Sequence, residues 1–242
     1  FIMKIIADTH THTVASGHAY GTIVENISAA KEKGLRFLAS TDHTGVLPGA
    51  PSDNYFSCQN NLPDSAEGVY LLRGCEVNLL NSSGALDLPD AILADLEWVI
   101  ASMHKGSMAV GNSESYTRAW LNVLKNPLVD VLGHMGDEQF KFDYETVVRA
   151  CKGTGKVIEI NSHSFLARAK SDENCREIAL LCMKYRVPVV VSSDAHSSYQ
   201  VGDFDAALSM LEAISFPQDL VLNADFNRFS AFLKKKCSRI FD

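Results

Sequence analysis

Short apolar runs alternate with amphipathic stretches along the whole chain. Seven runs read as strands: residues 4–8, 36–41, 70–77, 98–103, 129–133, 157–161 and 189–193. Several are rich in β-branched residues and nearly continuous in apolar character, the pattern of strands buried on both faces. Apolar positions at helical spacing mark residues 23–33, 115–125, 144–152, 175–185, 204–214 and 226–236. Gly34, Pro127 and Pro217 follow three of these stretches and act as helix stops. Residues 47–68, with three prolines and many polar side chains, read as an excursion over the surface. Strands alternating with helices imply a parallel sheet. A closed barrel and an open doubly wound sheet both fit, and seven strands are one short of the usual eight of a closed barrel.

The histidines separate the two. Of eight in the chain, His10 and His12 follow the first predicted strand, His43 the second, His104 the fourth and His134 the fifth. Glu76 lies at the end of the third strand, and Asp194 and His196 follow the seventh. A single histidine is more often a surface or satisfied core residue than a ligand. Their joint placement at successive strand ends is different, because in a barrel of parallel strands those ends meet at one mouth. Convergence therefore favours a single α/β domain over residues 1–242, a distorted seven-stranded TIM-like (β/α) barrel. Side chains two apart on an extended segment point the same way. His10-X-His12 thus presents two imidazoles to one side, and Asp194-X-His196 a carboxylate and an imidazole. Imidazole with carboxylate is a ligand set for zinc, manganese or iron. With His18 in the first loop, the ligand candidates are His10, His12, His18, His43, Glu76, His104, His134, Asp194 and His196. They exceed the needs of one ion and suit three divalent ions, with Glu76 or a water bridging two.

Composition narrows the partners. The net charge of −7 argues against a basic face for long nucleic acid. A small phosphate ester stays compatible, because bound cations reverse the local potential. No apolar run approaches the roughly 20 residues of a membrane span. The opening Phe1-Ile2-Met3-Lys4 is too short for a secretory signal and is expected to run into the first strand. Six cysteines without a CxxC pair read as buried thiols of a reduced, cytoplasmic protein.

The run Ala7-Asp-Thr-His-Thr-His-Thr-Val-Ala-Ser-Gly-His-Ala-Tyr20 resembles the first motif of the polymerase-and-histidinol-phosphatase (PHP) family. Ser40-Thr-Asp-His43, Arg73-Gly-Cys-Glu76 and Ser192-Ser-Asp-Ala-His196 resemble its second, third and last motifs. Glu159-Ile-Asn161, the Ser164-Phe-Leu166 stretch and Glu173-Asn-Cys-Arg176 are similar to the YcdX-like phosphatase branch. The resemblance covers nearly the whole chain. It implies a distorted seven-stranded barrel and a trinuclear site, often zinc. It assigns His10, His12, Glu76 and Asp194 to one ion, and Glu76, His104 and His134 to a second. His18, His43 and His196 would hold the third. It also implies a small homo-oligomer. Two positions depart from the pattern: Met135 follows His134 where many relatives have proline, and His163 stands where a small polar residue is expected.

The expected activity is hydrolysis of a small phosphomonoester. Water on such ions loses a proton near pH 7, and the resulting hydroxide attacks phosphorus in line. Glu76 and Asp194 are the expected catalytic ligands, with Asp194 a candidate proton acceptor. Arg168 and Lys170 are expected to bind the phosphate, since guanidinium grips it in a bidentate way. Lys105 is a weaker candidate, and His163 faces the mouth or is a polar loop residue. Asp8 and Asp42 are expected to orient ligands, and Lys234–Lys236 reads as a solvated helix end. Two other functions are open. An amidohydrolase also begins with HxH at a barrel strand, but usually has eight strands and a modified lysine bridging its ions. A non-enzymatic regulatory module is the other, though such members lose ligands.

Overall fold

The computed structural model describes residues 3–241; Phe1, Ile2 and Asp242 lie outside it. Its strands are β1 (Ala7–Thr11), β2 (Phe37–Ser40), β3 (Ser65–Ala66), β4 (Val69–Asn78), β5 (Trp98–Ser102), β6 (Val131–Leu132), β7 (Val157–Asn161) and β8 (Val189–Ser192). The helices are α1 (Ile23–Glu32), α2 (Asp53–Ser57), α3 (Asp90–Leu93), α4 (Ser113–Val123), α5 (Tyr144–Cys151), α6 (Ser164–Ala167), α7 (Ser171–Tyr185), α8 (Asp205–Ala213) and α9 (Phe226–Leu233). Seven strands pair in parallel in the order β1-β2-β4-β5-β6-β7-β8, and the two-residue β3 pairs antiparallel with β4. The result is a nearly closed barrel.

Side chains alternate between two apolar cores, as strand geometry requires. Phe37, Ala39, Leu72, Trp98, Ile100, Val131, Val157 and Val190 point inward with Phe229, Leu233 and Phe241. Leu38, Leu71, Val99, Ala101, Leu132, Ile158 and Val191 point outward under the helices. Phe241 and Phe229 pack on Phe37, so the C-terminal segment plugs the bottom of the barrel. Trp98 donates from Nε1 to the carbonyl of Thr9 at 2.9 Å. Above that indole the interior turns polar.

No continuous ladder joins β1 to β8. One bridge pairs Thr11 with Ala195 near the mouth, where His12 N donates to Ala195 O at 2.8 Å. Below it the fully buried Asn223 fills the seam. Its Nδ2 donates to Ala7 O at 2.8 Å and to Val191 O at 2.7 Å, and its Oδ1 accepts from Val191 N at 3.0 Å. One carboxamide thus replaces the missing ladder bonds.

Several elements differ from the sequence reading. The first strand runs through His10 and Thr11 instead of ending at Asp8, so His10 lies inside it. Residues 47–68 are anchored, not a bare excursion: α2 brings Tyr55 Oη to donate to Asp42 Oδ2 at 2.7 Å, and Arg73 donates to the carbonyls of Gln59 and Leu62. Lys236 is not solvated either, because its ammonium meets Asp130 Oδ2 and Leu128 O, each at 2.7 Å. Cys75, Cys151, Cys175 and Cys182 are buried, Cys237 is partly buried and Cys58 is exposed, all as free thiols. Among the described residues no helix is long and apolar enough to cross a membrane.

Asn223→Leu should therefore destabilise the protein by about 3 kcal/mol, since it removes three bonds and strands buried backbone groups. Urea unfolding checks this; a loss below about 0.5 kcal/mol would show that the seam closes without the carboxamide.

Candidate metal centre

The strand ends and following loops bring all nine ligand candidates into one cluster at the mouth. Glu76, fully buried, lies at its centre. Its Oε1 is 2.8 Å from His134 Nε2 and 3.3 Å from His104 Nε2. Its Oε2 is 2.7 Å from His43 Nδ1, 3.3 Å from His10 Nε2 and 3.6 Å from His12 Nε2. Asp194 Oδ1 faces His12 Nε2 at 3.1 Å and His10 Nε2 at 3.6 Å. At the outer side, His18 Nε2 and His196 Nε2 stand 3.1 Å apart.

Local backbone places these groups. Thr13 caps the turn Val14–Ser16, and Gly17 at φ 80° then swings His18 over the mouth. A Cβ on Gly17 would sit 2.6 Å from the carbonyl oxygen of Gly49, so only glycine allows this loop to rest on residues 47–68. His134 (φ 27°) and Asp194 (φ 54°) hold left-handed backbone without being glycine. Each such residue costs roughly 1–3 kcal/mol and persists only where its surroundings hold it. Here Glu159 Oε2 accepts from His134 N at 2.6 Å, and Asn161 Nδ2 donates to Asp194 Oδ2 at 3.0 Å.

An outer ring of acceptors turns the imidazoles. Nδ1 of His10 is 2.6 Å from Glu159 Oε1, and Nδ1 of His104 is 2.8 Å from Asn78 Oδ1. Nδ1 of His18 is 3.1 Å from Ser16 O, and Nδ1 of His196 is 2.9 Å from Asp194 O. Each acceptor favours the proton on Nδ1 and leaves Nε2 for a ligand. His12 is fixed through a hydroxyl. Ser16 Oγ donates to Asp42 Oδ1 at 2.7 Å, so it accepts from His12 Nδ1 and His43 N, both at 3.1 Å. In this state the Nε2 lone pairs of His18 and His196 confront each other, which is repulsive without a cation. His10 Nε2, His43 Nδ1 and Glu76 Oε2 are buried with no hydrogen-bond partner. Donor atoms that crowd together off hydrogen-bond geometry fit ligands of common ions.

Among the described residues three triads have ligand atoms within 4.8 Å of one another: His10, His12 and Glu76; His12, His43 and His196; and His43, Glu76 and His104. The triads share members. By distance His43 belongs with Glu76 as much as with His196, so the separate sets implied by resemblance blur into one continuous cluster.

Burial opposes charge in the cluster, yet Glu76, Asp194 and His10 favour their charged forms. Against burial, His10, His104 and His43 hold Glu76 well below the usual carboxylate range. His10, His12 and Arg168 do the same for Asp194. Burial also pulls His10 down, but the carboxylates of Glu159, Glu76 and Asp194 hold it well above the usual imidazole range. His12, buried and beside His43, is pushed well below that range. A cation held there would compete with the His10 proton, so its affinity is expected to fall as the pH is lowered.

Other expected site residues divide. Arg168 Nη1 donates to Ser164 Oγ at 2.7 Å and lies 3.4 Å from Asp194 Oδ2, at the edge of the cluster. Lys170 is not brought there: it is largely exposed and 3.5 Å from Glu138 Oε1. Lys105 is exposed, and the His163 ring stacks 6.0 Å from that of His196. Asp42 acts through Ser16. Asp8 binds Ser193 Oγ (2.5 Å) and Gly202 N (2.9 Å), not an imidazole, because β1 shifts register between Asp8 and Thr11. Burial raises Asp8 to about 6 despite the donors from Ser193 and Gly202. The sequence reading missed the supporting roles of Glu159, Asn78 and Ser16. Glu159 carried a signal, since a carboxylate between Ile158 and Ile160 in a buried strand demands partners.

The sequence profile of the PHP domain matches residues 8–163. The chain belongs to the PHP domain family. A protein of Acetivibrio thermocellus named a probable phosphatase is 44% identical over 238 residues, covering 98% of this chain and 99% of its own. Another so named, from Thermoanaerobacter sp., is 44% identical over 240 residues, covering 98% of each. The fold is similar to that of a histidinol phosphate phosphatase from Lactococcus lactis, solved with zinc, L-histidinol and phosphate. The two share 15% identity at a TM-score of 0.58, over 91% of this chain and 94% of that one. Family, relatives and cluster together support a metal-dependent phosphatase.

Glu159→Gln keeps the shape but weakens the grip on His10, and should lower metal affinity about 10- to 100-fold. Competition against a chromophoric chelator measures it. Unchanged affinity would mean that Glu159 only fills space.

Proposed function

We propose that this PHP-domain protein hydrolyses a small phosphomonoester using three divalent ions, zinc first, with manganese or iron accepted by the same donors. The observation that carries the reading is the buried Glu76 carboxylate facing five imidazoles with Oε2 unpartnered. His10, His12, His18, His43, Glu76, His104, His134, Asp194 and His196 would hold the ions. Bound there, divalent ions supply Lewis acidity, lowering the pKa of water and offsetting charge on phosphoryl oxygens. The chain's own groups do the rest. Glu159, Asn78 and Ser16 keep imidazole lone pairs aimed inward. Arg168 is poised to donate to a non-bridging phosphate oxygen, exchanging its long contact with Asp194 for a bidentate one. We place Asp194 as a ligand; held well below its usual range by His10, His12 and Arg168, its carboxylate is a weak proton acceptor. The chain's net charge of −7 is consistent with a small substrate and not with long nucleic acid. Glu76, facing His104 and His134 through Oε1 and His10, His12 and His43 through Oε2, would take the bridging place that an amidohydrolase gives to a modified lysine.

The test is release of inorganic phosphate, with ammonia release from amides as the contrast. Chelation should abolish phosphate release and added divalent ions restore it. Ammonia release, or phosphate release indifferent to chelation, would overturn the proposal. Arg168→Ala should lower kcat/KM roughly ten- to hundredfold, the worth of about 1.5–3 kcal/mol for a charged hydrogen bond, with metal content unchanged.

A further inference from the structure

We infer that a small polar cleft beside the cluster receives the alcohol part of the ester. Asp203 there selects an alcohol that carries hydrogen-bond donors and no second anion. The inference rests on the phosphomonoesterase reading and adds the class of leaving group.

The cleft lies between the loops after β7 and β8, with His163, Leu166, Gln200 and Asp203 on its walls and a volume near 110 Å³. It shares a wall with the cluster. The His163 ring stacks on His196 at 6.0 Å and 29°, and Gln200 Oε1 accepts from His196 N at 2.9 Å. A larger cavity of about 370 Å³ between Val14, Ile23, Tyr55 and Leu62 is a poor alternative. Thr13, Ser16 and Tyr55 all bind Asp42 and close that cavity off from the imidazoles. The smaller cleft is the one whose walls, His163 and Gln200, touch the cluster at His196, and the ester substituent is placed there on that ground.

Size and chemistry then limit the substituent. A cavity of about 150 Å³ takes up a benzene ring, so a cleft near 110 Å³ has room for only a few non-hydrogen atoms. That suits a short-chain alcohol and not a nucleoside. The Asp203 carboxylate accepts hydrogen bonds, while the Gln200 oxygen is already committed to His196. No lysine or arginine lines the cleft, and Arg168 is held on the phosphate side by Ser164 and Asp194. A second phosphate or a carboxylate would meet Asp203 with no lysine or arginine on the cleft wall to compensate, and like charges a few ångströms apart repel even beside solvent. Hydroxyl or ammonium groups would meet an acceptor.

Four probes test this with the metal-loaded full chain: glycerol 3-phosphate for hydroxyl, phosphoethanolamine for ammonium, 3-phosphoglycerate for a second anion, and phenyl phosphate as a donor-free control. At least one of the first two should exceed 3-phosphoglycerate at least tenfold in kcat/KM. Asp203→Lys, a change at an exposed position, should raise the ratio of 3-phosphoglycerate to glycerol 3-phosphate at least tenfold. Asp95→Lys, exposed just before β5 at the opposite end of the barrel, should shift that ratio less than twofold. A readout without turnover is thermal: 3-phosphoglycerate should raise the melting temperature of Asp203→Lys about 2 °C more than that of the wild type, with inorganic phosphate as reference. Hydrolysis of phenyl phosphate without discrimination among the other three, or an unchanged ratio in Asp203→Lys, overturns the inference alone. No hydrolysis of any of the four overturns the phosphatase reading beneath it.

Discussion

A buried carboxylate ringed by imidazoles is costly unless something positive joins it. Glu76 lies at the centre of such a ring, with Asp194 and Glu159 close by and almost no solvent reaching any of the three. Removing charged groups from water costs several kcal/mol each, and pairing recovers that only when geometry and hydrogen bonds are complete. Here the outer nitrogens of His10, His12, His18, His104 and His196 have partners, while the inner atoms of His10, His43 and Glu76 are left facing one another. The barrel thus builds a well-supported cage of lone pairs, and cations are what such a cage is shaped to hold.

The remaining architecture serves that arrangement. Strand β4 is the longest at ten residues, and it carries Glu76 up into the ring of imidazoles from neighbouring strand ends. Trp98 separates the apolar interior from the polar mouth. Asn223 closes the seam where β1 and β8 fail to pair, which keeps His10 and His12 on one side of the seam in register with Asp194 on the other. Strain at His134 and Asp194 is tolerated because Glu159 and Asn161 bind both from one strand, β7. Stability and ligand geometry are therefore coupled through the same few buried polar groups.

Much of this was legible in the sequence, for a physical reason. Imidazoles and carboxylates at successive strand ends stand out because strands otherwise want apolar residues, and barrel topology collects those ends. What was illegible depends on long-range partners. Strand β1 seemed to stop at Asp8 because Thr9, His10 and Thr11 are polar; only the assembled mouth makes a polar interior. Residues 47–68 looked unanchored because Tyr55 finds Asp42, and Arg73 finds Gln59 and Leu62, only after folding. The roles of Asn223 and Lys236 have no local signature at all. Lys170, two residues beyond Arg168, shows the limit of reading phosphate donors from charge alone: the chain turns it to Glu138.

Anomalous X-ray scattering at the zinc, manganese and iron edges, from crystals of protein saturated with divalent metal, tests the central claim most directly. The account predicts three anomalous peaks within the imidazole cluster, with the Glu76 carboxylate bridging two of them. A single peak, or an empty cluster after saturation, would contradict it.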